Sequence, residues 1–449
     1  MIKSHVLYQL SYALAAPAYI GPRGAREDHV EWGPVGQIRT AGLHLLGCAA
    51  AGRVSRETRT IPMLIVNRVA DLHGEIREWR RDLHAHPELR YDVHRTAASV
   101  ADKLKSFGCD EVVPGIGRTG VVGVIRGSKS GNKVVGLRAD MDALPIEEET
   151  GLPYKSTVAG KMHACGHDGH TAMLLGAAKY LAETRNFAGT AVVIFQPAEE
   201  GGAGAAAMIK DGLISRFGIN EVYGMHNYPG IPLGQFAIRS GPIMAAADHI
   251  EIAIEGKGGH AARPHLAIDT ILVGAQIINQ LQSIVSRNVD PLESAVVSIC
   301  MFQAGHTDNV IPQHAKLLGT ARSLTKKVGE LLRQRINAVV EGTARLYGAS
   351  AEITYTNGYP VVVNHERETA FAADVAREIA GQDKVDTAVP PLMGAEDFAF
   401  MLQERPGAFI FVGNGDSAGL HHPRYDFNDE TIPVGTSYWV RLAETALAV

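Results

Sequence analysis

From Met63 onward the apolar positions alternate between helical and strand-like spacing, and the order of these runs predicts the architecture. "MLIVNRVADLHGEIREWRRDLHAHPEL" reads as an amphipathic helix. "GVVGVIRG" and "KVVGLRADM" read as strands, the second nearly continuous in apolar residues until Arg138. "TAMLLGAAKYLAE" has helical spacing, "GTAVVIFQ" is a buried strand and "EVYGMHN" another. Strands alternating with helices predict an α/β domain with a largely parallel sheet.

Near residue 247 the pattern changes. "HIEIAIEG" places Ile250, Ile252 and Ile254 on one face of a half-exposed strand. A helix follows, with Ile271, Leu272, Ala275 and Ile278 at helical spacing, then the strand-like runs "SAVVSICMF" and "AKLLGTARSL". A helix from about Lys326 to Tyr347 and the strand "AEITYT" complete a β-α-β-β-α-β order, the ferredoxin-like split βαβ unit. Past residue 357 the α/β pattern resumes with "RETAFAADVAREIAG", "AFIFVGN" and a closing helix. The expected organisation is a discontinuous α/β domain, 63–246 and 357–449, interrupted by an α+β domain, 247–356. Residues 1–62 lack a sustained period and read as an extension outside that core.

Composition narrows the function classes. The chain has 449 residues, a formal charge of -5 and no long basic run, which argues against a nucleic-acid partner. No apolar stretch approaches the roughly 20 residues of a membrane span. "HVLYQLSYALAAPAYI" is interrupted by Tyr8, Gln9, Ser11 and Tyr12 and makes a poor signal peptide; "LLGC" follows a charged, Gly-rich segment. Cys48, Cys109, Cys165 and Cys300 show no disulfide-framework spacing, so the expected compartment is reducing and cytoplasmic.

The chemistry concentrates where α/β sheets bind ligands, beyond the carboxyl ends of strands. "KVVGLRADMDALP" ends in Asp140 and Asp142, "GTAVVIFQPAEEGG" in Glu199 and Glu200, "EVYGMHN" in His226, and "AFIFVGNGDSAGLHHP" leads to His421 and His422. "MHACGHDGH" adds Cys165, His167, Asp168 and His170 just before a helix. Taken singly, a Glu-Glu pair is a solvated charge pair and a lone histidine a core residue; their convergence on one sheet edge argues for a shared site. Cys, His and carboxylate together favour transition metals, and there are more donors than one tetrahedral ion needs. Two ions about 3.5–4 Å apart would use them. Adjacent glutamates divide naturally into one ligand and one general base.

With "WRRDLHAHPEL", "LRADMDALPI", "KMHACGHDGHTAMLLGAA", "FQPAEEGGAGA", "GKGGHAARPH", "NVIP", "MGAEDF" and "LHHPRYDFND" in this order, the chain resembles the M20 metallopeptidases, from about Met63 to Val449. The likeness is to their aminoacylase branch of hippurate hydrolases and plant auxin-conjugate amidohydrolases. The resemblance implies a two-metal, aminopeptidase-like α/β catalytic domain with an inserted α+β lid and dimerisation domain. It implies Cys165, His167, Glu200, His226 and His421 as metal ligands, with His421 rather than His422 at the ligand position, and Glu199 as the general base. Many relatives have a metal-binding histidine where this chain has Asp140; Asp142 matches an aspartate that orients a ligand, and His170 takes no assigned role. His260 matches a histidine that stabilises the oxyanion, often from a partner subunit, and Asn309 and Arg322 match positions that hold the substrate carboxylate.

The expected protein is therefore a homodimeric amidohydrolase cleaving N-acyl-L-amino acids with two divalent ions, zinc first, then manganese, cobalt or nickel. The alternatives are a dipeptidase or an N-acetyl or N-succinyl diamino acid deacylase of the same fold, or a catalytically silent metal-containing binding protein.

Overall fold

A computed structural model describes residues 64–448; the extension 1–62 expected from the sequence lies outside the described residues. The first helix, Asn67–Ala85, buries Val69, Leu72, Ile76, Arg80 and Leu83, one stripe at three- and four-residue spacing. It is shorter than the sequence pattern, which ran on to Leu89. Pro87 disfavours helical geometry at the residue before it and cannot donate a backbone hydrogen bond, so the helix stops short of His86.

Eight strands form the main sheet, and four of them build its parallel centre in the order Ala188–Gln196, Lys129–Asp140, Glu221–Tyr228 and Gly407–Gly413. Glu111–Ile116 and Gly120–Arg126 continue it antiparallel on one side. The central strands are buried along most of their length because helices cover both faces, as their continuous apolar runs require.

The helix His167–Thr184 is buried nearly throughout its first twelve residues, packed on the sheet, on Asn67–Ala85 and on Thr431–Ala446. It begins four residues earlier than its apolar spacing suggested, so His167, Asp168 and His170 lie within its first turn rather than ahead of it. Gly166 enters that turn at φ 87°, where a side chain would be strained and a Cβ would meet Asn227 Nδ2 at 2.2 Å. A Cβ on Gly169 would run into the ring of Phe427 at 2.3 Å. The glycines of "CGHDGH" thus let a helix start press its histidines against neighbouring strands.

The second sheet has four antiparallel strands in the order Ala295–Ala304, His314–Ser323, Ala246–Glu255 and Ser350–Tyr359. With helices Thr270–Arg287 and Lys326–Leu346 on one face, it follows the β-α-β-β-α-β order read from the sequence. Ile250, Ile252 and Ile254 lie in its apolar core with Ile277, Leu281, Leu332 and Ile336. The other face is open, and its last strand ends at Tyr359, ahead of a two-stranded pairing of Val362–Asn364 with Gly241–Met244.

Candidate functional site

The carboxyl ends of the four parallel strands gather the reactive side chains. Asp140 ends one strand and Asp142 follows it; Glu199 and Glu200 follow the next; His226 lies near the end of the third. His421 comes from the loop after the fourth, in left-handed geometry (φ 64°), with its backbone N–H donating to Ala164 O at 2.8 Å. A non-glycine residue held there costs about 1–2 kcal/mol and persists where surrounding contacts over-determine it.

The five residues expected as ligands fall into two groups that share one thiol. Cys165, His167 and His226 form one; Cys165, Glu200 and His421 form the other; within each, the donor atoms lie within 4.8 Å of one another. Cys165 Sγ is 3.4 Å from His226 Nε2, and Glu200 Oε1 is 3.2 Å from His421 Nε2. His226 Nδ1 lies 2.6 Å from Asn227 O; donating there fixes the tautomer that leaves the Nε2 lone pair facing the thiol.

These residues suit bound cations, because several lack partners that the protein itself could supply. Neither ring nitrogen of His167 has a hydrogen bond, although both are buried. Burial alone would lower its pKa, but Asp140, Asp142 and Glu200 outweigh it and hold the imidazole up at about 10, so the pocket demands positive charge. Burial, then Glu200, Glu199 and Asp140, hold the Cys165 thiol well above its ordinary range, so a thiolate there needs a compensating cation. Burial depresses the His226 pKa, with His170 adding to the effect, leaving a neutral imidazole suited to ligation.

The adjacent glutamates are driven apart. Burial, then Glu396, raises the Glu199 carboxyl well above its usual value. Burial acts on Glu200 too, but His421 and His167 outweigh it and hold that carboxyl low. Asp142 grips both: Oδ1 accepts the Glu199 backbone N–H at 3.0 Å and Oδ2 that of Glu200 at 3.1 Å.

Asp140 and His170 are otherwise engaged. His170 Nε2 accepts the backbone N–H of Asn227 at 2.9 Å, which leaves Nδ1–H to donate to Asp140 Oδ1 at 2.6 Å. Asp140 Oδ2 accepts from Arg138 at 2.7 Å. Asp168 faces away from the ligand groups, accepting from Arg80 Nε at 2.8 Å and lying 2.8 Å from His84 Nδ1.

His260, Asn309 and Arg322 stand apart from this set. His260 is exposed on the short strand Gly259–His260, paired with Val310, and its Nδ1 accepts from Ala262 N at 3.1 Å. Asn309 is its neighbour, its carbonyl accepting from Ala261 N at 3.0 Å. Arg322 is half-buried on the open face of the second sheet. None of the three hydrogen-bonds to the ligand groups among the described residues.

Sequence reasoning missed the groups that hold the charge together. Arg138, buried in its strand, bonds Glu396 Oε1 at 2.9 Å and Asp397 Oδ1 at 3.1 Å as well as Asp140. Glu396 and Asp397 in turn approach Glu199, their carboxylates and its own lying within 4.8 Å of one another. The available signals were an arginine ending an apolar run and the acid pair in "MGAEDF".

The model of peptidase family M20/M25/M40 matches residues 136–445. A hippurate hydrolase of Campylobacter jejuni is 44% identical over 381 residues, covering 85% of this chain and 99% of that protein. An N-acetylcysteine deacetylase of Bacillus subtilis is 40% identical over 377 residues, covering 84% of the chain and 97% of its own length. A solved Bacillus subtilis structure, described as a dinuclear metal binding peptidase from the M20 family, superimposes with a TM-score of 0.73 at 36% identity, covering 84% of this chain and 99% of that one.

Proposed function

The chain belongs to peptidase family M20/M25/M40 and is a metal-dependent amidohydrolase of N-acyl amino acids, and we propose that it acts on hippurate-like substrates with Glu199 as its general base. The observation that carries this reading is the pair of ligand groups sharing Cys165 beside a glutamate whose backbone Asp142 clamps. Cys165, His167 and His226 would hold one divalent ion, and Cys165, Glu200 and His421 the other. Thiolate and imidazole favour zinc, while Glu200 admits manganese, cobalt or nickel. Such ions would polarise the scissile carbonyl and lower the pKa of water.

The protein's own groups do the rest. Glu199, raised in pKa and desolvated, takes a proton from the attacking water and returns it to the amine nitrogen as the C–N bond breaks. Asp142 fixes the peptide that carries it. Arg322 and Asn309 are assigned to the substrate carboxylate: burial lowers the Arg322 pKa and Asp248 only partly offsets it, so a bidentate carboxylate would supply the missing anion. His260 donates to the developing oxyanion.

His260 would reach that position from a second copy in a C₂ dimer built on the domain 247–356. Exposed Leu266, Ile271, Leu272 and Val310 on that domain support an association surface. No helix among the described residues is long and apolar enough to cross a membrane. We assign the protein to the cytoplasm, where Cys109 and Cys300, unbridged among the described residues, would stay reduced.

The test is a panel of hippurate, N-acetyl amino acids, dipeptides and N-acyl diamino acids, assayed after chelation and after reloading with zinc, manganese, cobalt or nickel. The reading requires chelation-sensitive release of a free amino acid from hippurate or N-acetyl amino acids. Preference for dipeptides or diamino acid conjugates would redirect it, and inactivity on every member with full metal content would sink it.

A further inference from the structure

The loop that carries Glu199 is anchored from two directions. From the main domain, Asp142 accepts the N–H groups of Glu199 and Glu200, Arg90 Nε donates to Glu200 O at 3.1 Å, and the Tyr91 hydroxyl donates to Gly202 O at 2.7 Å. From the second sheet comes Tyr359, the final residue of the strand Ser350–Tyr359. Its hydroxyl donates to the carbonyl of Glu199 and accepts from the backbone N–H of Ala203 at 3.1 Å. Both roles of the phenol oxygen are thereby used on the loop that carries the base.

Tyr359 pairs with Ala247 just past an irregularity in the ladder at Asn357–Tyr359, and Ala247 pairs with Arg322, so the three are neighbours across adjacent strands. Two strand spacings put the Tyr359 and Arg322 backbones about 10 Å apart. The cross-strand neighbours thus include both the tyrosine bonded to the peptide of Glu199 and the arginine assigned to the substrate carboxylate.

The loop needs such an anchor. Ala198 and Ala203, on either side of the glutamates, both sit at φ 56°, a conformation that costs a non-glycine residue about 1–2 kcal/mol and relaxes if its restraints are lost. Turning the 199–200 peptide would swing the Glu199 carboxylate. The phenol ring is itself fixed edge-on to Phe400, with centroids 6.2 Å apart at 78°. Burial, then Asp397 and Glu199, keep the hydroxyl protonated and able to donate.

We propose that Tyr359 is a positioning residue for Glu199, through which the second sheet aims the base. This rests on Glu199 being the base, as argued above. Tyr359→Phe removes the hydroxyl and keeps the ring against Phe400. Tyr91→Phe removes an equivalent phenol bond from Gly202 of the same loop and is the matched control for a purely structural role. For Tyr359→Phe, kcat should fall at least about 10-fold from misplacement of the reacting group. Its KM should stay within about 2-fold of the parent, and metal content should be unchanged. Tyr91→Phe, with a similar loss of thermal stability, should lower kcat less than about 3-fold. Equal losses in the two variants, an unchanged kcat in Tyr359→Phe, or a loss that tracks metal content would each overturn the proposal. Glu199→Gln, run alongside, separates the two layers. Turnover by Glu199→Gln would remove the base assignment itself, whereas its inactivity with normal turnover in Tyr359→Phe would remove only the positioning role.

Discussion

Replacing Arg138 with methionine should destabilise the protein strongly at neutral and alkaline pH and less in acid. The guanidinium is buried, with Nη1 on Asp140 at 2.7 Å, Nη2 on Glu396 at 2.9 Å and Asp397 at 3.1 Å, and Nε on Gln196 at 2.9 Å. Burial works against its charge, but Glu396, Asp140 and Asp397 more than offset that. The carboxylates have other donors: His170 for Asp140, Phe398 N for Glu396, and Gln196 and Ala205 N for Asp397. What the variant loses is therefore the cation rather than every hydrogen bond. Stranding a buried ion-pair partner costs about 3–5 kcal/mol. That cost falls on the charged form of the carboxylates alone, because a protonated carboxyl strands no charge. Burial already works against the Asp140 charge, and His167 and Arg138 hold that carboxyl well below the usual range, so removing Arg138 moves it upward. A folded pKa held below the unfolded value stabilises the fold at neutral pH, and that stability is lost as pH falls through the acid range; the share that Arg138 contributes is therefore missing at neutral pH and matters less in acid. The deficit should be about 3–5 kcal/mol at pH 8 and smaller at pH 5. Urea unfolding of parent and variant at both pH values, with saturating metal, measures it. A deficit below about 1 kcal/mol, or one that does not change with pH, would refute the claim that Arg138 neutralises this carboxylate set.

Glu199→Gln should lower kcat at least about 100-fold while leaving metal stoichiometry intact, since it removes a proton carrier and not a proposed ligand; near-normal turnover at full metal content would exclude it as the base. Cys165→Ala should lower metal content and activity together, because both ligand groups include that thiol; unchanged stoichiometry by elemental analysis would exclude it as a ligand. His260→Ala and Glu199→Gln, each inactive alone, should regain activity when mixed and allowed to exchange subunits, because one site of the mixed dimer would have both groups intact. Proven exchange without regained activity would place His260 in its own subunit or outside the reaction.

The residues that sequence reading brought together are those whose position follows from local pattern. Asp140, Asp142, Glu199, Glu200 and His226 lie at or just beyond the ends of apolar strands, and parallel strands deliver their ends to one edge. Where local pattern was ambiguous the reading slipped. The helix at His167 starts at a left-handed Gly166, a start that no capping side chain announces. The helix His94–Ser106 and the edge strand Glu111–Ile116 were not read at all, although the first has an apolar stripe of Val100, Ala101 and Leu104.

The charge balance of the site was illegible for a different reason. Arg138 and Glu396 meet across 258 positions of sequence, and Tyr359 and Glu199 across 160, separations that no spacing rule spans. Metal-ligating and catalytic residues can be recognised by type and neighbourhood because their chemistry is local. The groups that neutralise and aim them are ordinary arginines, carboxylates and tyrosines, given meaning only by the fold. An arginine interrupting an apolar strand is the exception that could have been used. A guanidinium buried in a central strand must meet anions there, and the anions had to come from another loop at the same sheet edge. "MGAEDF", whose acid pair leads into buried Phe398, was the segment able to supply them.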